Sequence, residues 1–308
     1  MQTTPTSRFE AAPLTRAGTR IKACFHCHST ESDGGLSPRD TAEKYRALGY
    51  QCLGISDHRI VTPTGSLARD GFLTIPTTEN GGQPDILGVG VREAIAQDLT
   101  LAERASRLAA QGGFTIAAHP TYCAVLPEAY TACEDLMALE IYNAYCDSAY
   151  ANGYAVELWD MVLGLGKRVW GVAGDDAHLN PRKRHYSDAG LGWVEIWAAS
   201  LSQEHVLVAL KQGAFFATQG PVFEEIIVAE NTIRIACSPV AQIRWRTFGK
   251  AGYVQQADGQ TPFTRSQLPE TLRLRTFVRI ELVDEHGKRA WSNPFFVNTA
   301  ESPSKKGA

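Results

Sequence analysis

The chain has 308 residues, 44% hydrophobic and 20% charged, with a formal net charge of −3. Such a composition is expected of a soluble globular protein with one sizeable core or a large and a small one, and it argues against a broad basic surface for long nucleic acid. No stretch approaches the roughly 18 apolar residues of a membrane-spanning helix, and the seven cysteines are scattered, which argues against a disulfide framework and for a reducing, cytoplasmic setting.

Residues 1–20 are polar, with Pro5, Pro13 and Gly18, and are expected to form a mobile or loosely docked arm. Ile21 to His28 reads as the first strand, followed by a turn through Asp33-Gly34-Gly35. His26 and His28, two apart, would share one face of that strand. Cys24 and Cys27 form a C-x-x-C, but three apart on a strand they face opposite sides, so packing is expected rather than redox or zinc chemistry. Ser37, Pro38 and Asp40 start a helix that Gly49 closes. Cys52 to Ser56 is a short apolar strand with Asp57-His58-Arg59 past its end. Phe72 to Glu79 is strand-like and turns at Asn80-Gly81-Gly82, and Asp85 precedes the short strand Ile86 to Val89. Thr100 and Glu103 make a capping box for a helix to Gln111. Phe114 to Ala118 is a strand ending at His119-Pro120, and Met137 to Tyr142 is another, with Glu140 and Asn143 near its exit. Ser148 to Leu165 reads as a helix, and Arg168 to Ala173 as a strand followed by Gly174-Asp175-Asp176-Ala177-His178.

About seven strands with helices between several of them favour a parallel α/β barrel or sheet. The candidate ligands fall at strand C-terminal ends, the face that carries chemistry in a (β/α) barrel, with Asp85 as the exception. From Pro221 helical periodicity gives way to β-rich runs over 224–229, 232–237, 242–248, 272–283 and 290–297, with Asp284-Glu285-His286-Gly287 as a hairpin turn. The expected organisation is an arm (1–20), a barrel with linking material from about 192 (21–220), a small β-sandwich (221–298) and a disordered tail (299–308).

His26, His28, Asp33, His58, Glu79, Asp85, His119, Asp176 and His178 form an ordered set that takes in five of the eight histidines. Any one of them has packing or capping as its simplest role. A His-x-His, an Asp-His and an Asp-x-His, each at a strand end, are hard to explain together that way. Imidazole and carboxylate are the usual donors for zinc, manganese and iron.

The strings H-C-H-S-T-E-S-D-G-G-L-S-P (26–38), I-S-D-H (55–58), the Glu79 strand end, A-H-P (118–120), E-I-Y-N (140–143) and G-D-D-A-H (174–178) resemble the polymerase-and-histidinol-phosphatase (PHP) family of metal-dependent phosphoesterases. Two later strings, F-F-A-T-Q-G-P (215–221) and R-A-W-S-N-P (289–294), look like the β-rich tail of one branch of that family. The resemblance implies a distorted seven-stranded (β/α) barrel and two to three divalent ions, manganese, iron or zinc. It implies that His26, His28, Glu79 and Asp176 hold a first ion, that Glu79 bridges to a second held with His119, and that Asp33, His58 and His178 hold a third. Where the family usually has a histidine this chain has Asp85, whose carboxylate can still ligate manganese or iron. Asp176 has the Asp-x-His spacing, and Asp175 is expected to orient a histidine.

The expected activity is hydrolysis of a phosphate ester, in a small metabolite or nucleotide, by a metal-activated hydroxide. Asp33 and His58 would hold the third ion or protonate the leaving oxygen. Arg59 is the expected phosphate cation, with Asn143, Arg182 and Arg184 as further substrate contacts. A solvated basic loop is the plainer reading of 182–184. Two other functions fit the same residues: a metal-dependent hydrolase of a non-phosphate bond, and a metal-binding sensor with little activity.

Overall fold

The computed structural model describes Phe9 and residues 18–180, 189–229, 231–259, 261–274 and 276–298. In chain order the first part comprises β1 (Thr19–Cys24), α1 (Pro38–Ala47), β2 (Cys52–Leu53), β3 (Leu73–Thr74), β4 (Thr77–Asn80), β5 (Ile86–Val89), α2 (Leu101–Ala110) and β6 (Phe114–Ala117). It continues with α3 (Pro120–Cys123), α4 (Pro127–Thr131), β7 (Ala138–Asn143), α5 (Ala144–Tyr150), α6 (Val156–Gly164) and β8 (Trp170–Gly174). Then come β9 (Trp193–Ala198), α7 (Gln203–Lys211), β10 (Phe215–Thr218), β11 (Phe223–Ala229), β12 (Thr232–Val240), β13 (Gln242–Arg246), β14 (Gly252–Gln256), β15 (Phe263–Gln267), β16 (Phe277–Val283), β17 (Arg289–Ser292) and β18 (Phe295–Phe296).

The helices begin where their sequence says they should. Ser37 Oγ accepts the Asp40 N–H with Pro38 inside the first turn, and Thr100 and Glu103 complete a reciprocal capping box. The helix expected over 148–165 is instead two, α5 and α6. Asn143 Oδ1 caps α5 by accepting the Cys146 N–H, and Ala151 ends it in the left-handed region. The chain then doubles back so closely at Gly153 that a Cβ there would lie 2.3 Å from the Asn143 carbonyl oxygen.

The strands form a ten-stranded sheet in the order β14-β13-β16-β17-β10-β9-β1-β2-β3 with β18 on β16, a five-stranded sheet β4-β5-β6-β7-β8, and a three-stranded sheet β11-β12-β15. The architecture is mixed α/β, not all parallel. Strands β1, β2 and β3 pair in parallel, as do β6, β7 and β8, but β5 runs antiparallel to both β4 and β6. This reversal explains Asp85. Ile86 pairs with Asn80 and with Ala117, so the start of β5 lies beside the ends of β4 and β6. Isolated parallel bridges join Cys27 to Ala177 and His58 to Glu79, carrying the lines of β1 and β2 across to the five-stranded sheet.

The segment expected as linking material contains β9, α7 and β10, and β9 pairs with β1 along Thr19–Ala23. Strand β10 pairs with β17 through Phe216 to Ser292, Ala217 to Trp291 and Thr218 to Ala290. The two tail-like strings are therefore each other's partners. Asn293 fixes them to the first part: its side chain accepts the Gly171 N–H and donates to the carbonyls of Gly213 and Phe215. The C-terminal strands thus continue the sheet that begins with β1. The three-stranded sheet closes over one end of it, and Ile226, Ile233 and Ile235 share a core with Val278, Ile280 and Leu282. Phe9, in the segment expected to be a loose arm, is buried in that core and bridges to Val297. The rest of residues 1–17 and the expected tail, 299–308, lie outside the described residues. No helix among the described residues is long and apolar enough to cross a membrane.

Candidate metal centre

Glu79 is the hub. It is the next-to-last residue of β4, is 1% exposed, and its Oε2 lies 3.4 Å from His26 Nε2, 3.4 Å from His28 Nε2 and 3.2 Å from His58 Nδ1. Its Oε1 lies 3.0 Å from His119 Nε2. Asp176 Oδ1 sits opposite, 3.2 Å from His26 Nε2 and 3.0 Å from His28 Nε2. Toward solvent, Asp33 faces His178 at 3.3 Å, His58 at 3.6 Å and His28 at 3.8 Å. Asp85 Oδ2 is 3.8 Å from His119 Nε2. All nine expected ligands are therefore brought together.

Their donor atoms fall into groups close enough to share an ion: His28, Asp33, His58 and His178; His26, His28 and Glu79; His26, His119 and Asp176; and Asp85, His119 and Cys123. The fit to metal rests on more than proximity. His26 Nε2, His28 Nδ1 and Glu79 Oε2 are buried and have no hydrogen-bond partner. Buried polar atoms are nearly always satisfied, so His26 Nε2 and Glu79 Oε2, 3.4 Å apart, and His28 Nδ1, which faces Asp33 from the other side of its ring, mark places suited to another group.

The backbone is shaped for this. His119 (φ 27°), Asp176 (φ 53°) and Arg59 (φ 64°) all take positive φ at or just beyond strand ends. Such conformations cost about 1–3 kcal/mol each and collect at functional sites. Gly174 ends β8 where a Cβ would lie 2.2 Å from Glu140 Oε1 and 3.0 Å from His26 Cβ.

Several supporting residues were not legible as such. The Glu140 carboxylate accepts from three groups: His26 Nδ1 at 2.9 Å, the His119 N–H and the Asn143 amide. A carboxylate on Nδ1 leaves His26 Nε2 as the donor for a metal. Asn143, expected to contact substrate, is fully buried with its amide spent on Glu140, Asp176 and the α5 cap, so it braces the centre instead. Asp175 does not orient a histidine. It accepts the N–H groups of Gly190, Leu191 and Gly192 and the Tyr45 hydroxyl, while burial pushes its carboxyl up to about 6. Asp57 accepts from Ser29 and Ser32 and so folds the turn that delivers Asp33. Cys123 Sγ is 3.4 Å from His119 Nδ1. Its four-residue spacing from His119 is the one sequence signal that could have found it. The C-x-x-C thiols are free and buried, with Cys24 Sγ on the His26 carbonyl and Cys27 Sγ on the Gly54 carbonyl. Arg59 is exposed beside His58. Arg182 and Arg184 lie outside the described residues.

Protonation follows the same geometry. Burial works against a charged His26, but Asp176, Glu140 and Glu79 outweigh it and raise its pKa well above the ordinary value. The Asp33 bond raises His58. Burial opposes His178 and His119, yet Asp33 raises the first, and Cys123 and Glu79 the second. Hydrogen bonds from His178 and His58 hold Asp33 well below the carboxylate range. A histidine raised on folding adds stability that is complete below its unfolded value of about 6.5 and is lost as pH climbs through the folded value. The metal-free protein is therefore expected to melt at lower temperature as pH rises above about 6.5, while the manganese-loaded protein gains over the same range because ions compete with protons for these nitrogens. Melting curves in chelator and in manganese check this; parallel pH trends would contradict it.

No family model and no curated protein matches the sequence. Solved structures do. A two-domain protein from Bacteroides vulgatus containing a predicted PHP-like metal-dependent phosphoesterase aligns at a TM-score of 0.53 and 14% identity, covering 92% of this chain and 96% of that one. An amidohydrolase from Chromobacterium violaceum with bound sulfate and no metal aligns at 0.42 and 13%, over 53% of this chain and 90% of that one. A protein from Bifidobacterium adolescentis named provisionally as a metal-dependent phosphoesterase aligns at 0.40 and 15%, over 51% and 88%. The first of these shares its fold with this chain over nearly the whole length of both.

Proposed function

We propose that the chain is a metal-dependent phosphoesterase acting on a small phosphorylated molecule. The observation that carries this is Glu79, a buried carboxylate with one oxygen facing three histidines and the other facing a fourth. A single carboxylate so placed suits two ions that share it. The two bridges at Cys27 and His58 support the reading of β1, β2 and β4 to β8 as a distorted seven-stranded ring, with the C-terminal strands as a β-sandwich grown from its edge.

In this reading His26, His28, Glu79 and Asp176 hold a first ion, Glu79, His119 and Asp85 a second, and Asp33, His58 and His178 a third. Manganese, iron or zinc bound there would neutralise phosphate charge and lower the pKa of a water. The chain's own groups do the rest. Glu140 and Asn143 fix the buried side of the centre. Asp33 and His58, with side chains 55% and 38% exposed, line the solvent side, where a substrate enters. With no third ion bound, the Asp33–His58 pair would instead hold a proton and pass it to a departing oxygen, and in either case Arg59 would meet the phosphate. The seven buried, unpaired cysteines support a reducing, cytoplasmic setting.

Phosphate release from a panel of mono- and diesters tests the reading. Turnover that chelator abolishes and manganese, iron or zinc restores is expected. A protein that carries its full metal complement and releases no phosphate from any ester would overturn it.

A further inference from the structure

An arc of rings runs from one end of the metal centre to the other. Tyr122 in α3 meets His119 edge-on, with centroids 5.4 Å apart at 88°. Tyr122 lies 5.2 Å from Tyr150 at 35°, and Tyr150 lies 6.0 Å from Tyr145 at 80°. Tyr145 then meets His178 at 4.8 Å and 35°. Tyr122 is 47% exposed and Tyr150 is 52% exposed, unusual for large rings packed beside a buried polar cluster.

The arc is held to the cluster by the same groups that hold the ligands. Tyr145 and Tyr150 lie on α5, whose cap, Asn143, also donates to Glu140 and Asp176. The Tyr145 N–H donates to the Asp175 carbonyl, and Thr121 Oγ1, next to Tyr122, donates to the Tyr154 carbonyl. The spacings lie in the range where aromatic pairs attract, and the exposed rings leave area open for another.

We infer that Tyr122, Tyr145 and Tyr150 form a subsite for a flat unsaturated ring, so that the preferred substrate carries an aryl or heteroaryl group close to its phosphate. This rests on the phosphoesterase reading, which supplies the phosphate end of the ligand. The rings act as surfaces, so their hydroxyls are dispensable.

The test is calorimetric binding of phenylphosphonate and methylphosphonate to the manganese-loaded full chain. The wild type is expected to bind phenylphosphonate about tenfold more tightly or better, a gap of roughly 1.4 kcal/mol. In a Tyr122→Leu, Tyr150→Leu double variant the gap closes through weaker phenylphosphonate binding, and in the Tyr122→Phe, Tyr150→Phe double variant it persists. Equal affinities in the wild type, or a gap that survives the leucine variant, would overturn the subsite and leave the phosphoesterase reading standing. Binding of neither phosphonate would overturn both.

Discussion

Glu79→Gln is expected to abolish turnover and to lower the metal content of the purified protein. The glutamine keeps the shape of the side chain but removes the charge that Oε1 and Oε2 present to four histidines. One amide end would also present N–H groups toward those histidines and the ions between them. Loss of a group that merely orients a ligand typically costs about 10–100-fold in metal affinity or activity, so a shared ligand should exceed about 100-fold in kcat/KM. Burial also magnifies the loss. Glu79 is held ionised against the cost of burial, chiefly by His26 and His119. Removing its charge leaves those imidazoles with less reason to stay protonated in the metal-free state. The variant should therefore bind less metal and also show a weaker fall in metal-free stability between about pH 6.5 and 9. Kinetics, metal analysis and melting curves on one preparation give all three readouts. Near-normal metal content with near-normal turnover would remove Glu79 from the centre.

The second large effect lies where the C-terminal strands meet the helices. Arg279 on β16 is fully buried, and its Nε and Nη2 bond Asp160 of α6 at 2.7 and 2.8 Å. Arg246 adds a bond to Asp160 at 3.0 Å, and the Arg279 guanidinium lies over the Trp159 ring. Asp160→Ala is expected to destabilise the protein by about 3–5 kcal/mol, because it removes both hydrogen bonds of a buried guanidinium that cannot shed its proton and leaves it only the longer ion pair to Glu281, 3.7 Å from Nη1. Arg279→Met should cost less. Asp160 would keep Arg246, and the methionine would fill part of the vacated space. The expected order, Asp160→Ala worse than Arg279→Met, is read from denaturant unfolding. The reverse order would mean that packing around Arg279, not its charge, holds this junction.

Five of the nine candidate ligands, His26, His28, His58, Asp176 and His178, were legible as candidates because each small motif is local: two histidines two apart, Asp-His past a strand, Asp-x-His past another. Spacing of that kind survives any error in strand boundaries. Asp85 was legible as a departure but not as a member of the face, since the antiparallel course of β5 is set by its pairing with β4 and β6 and leaves no mark within Ile86–Val89. Asn143 misled for a related reason. A polar residue at a strand exit reads as a substrate contact, and only the start of α5 at Ala144 turns it into a cap. Asp175 looked like a histidine partner by adjacency to Asp176. Successive residues diverge, however, and its carboxylate went to the backbone of 190–192 instead. The largest difference in fold, the continuity of β1 through β9 and β10 to β17, rests on two long-range antiparallel pairs, β1 with β9 some 175 residues apart and β10 with β17 some 75 apart, which no local periodicity encodes.

The proposed function depends on His26, His28, Asp33, His58, Glu79, Asp85, His119, Asp176 and His178 being one multi-ion centre. Anomalous scattering from crystals grown in manganese tests it most directly. At least two peaks are expected within this cluster, two of them beside Glu79, and at least one of those two is lost in the Glu79→Gln protein. Crystals of the folded protein with no peak among these nine residues would contradict it.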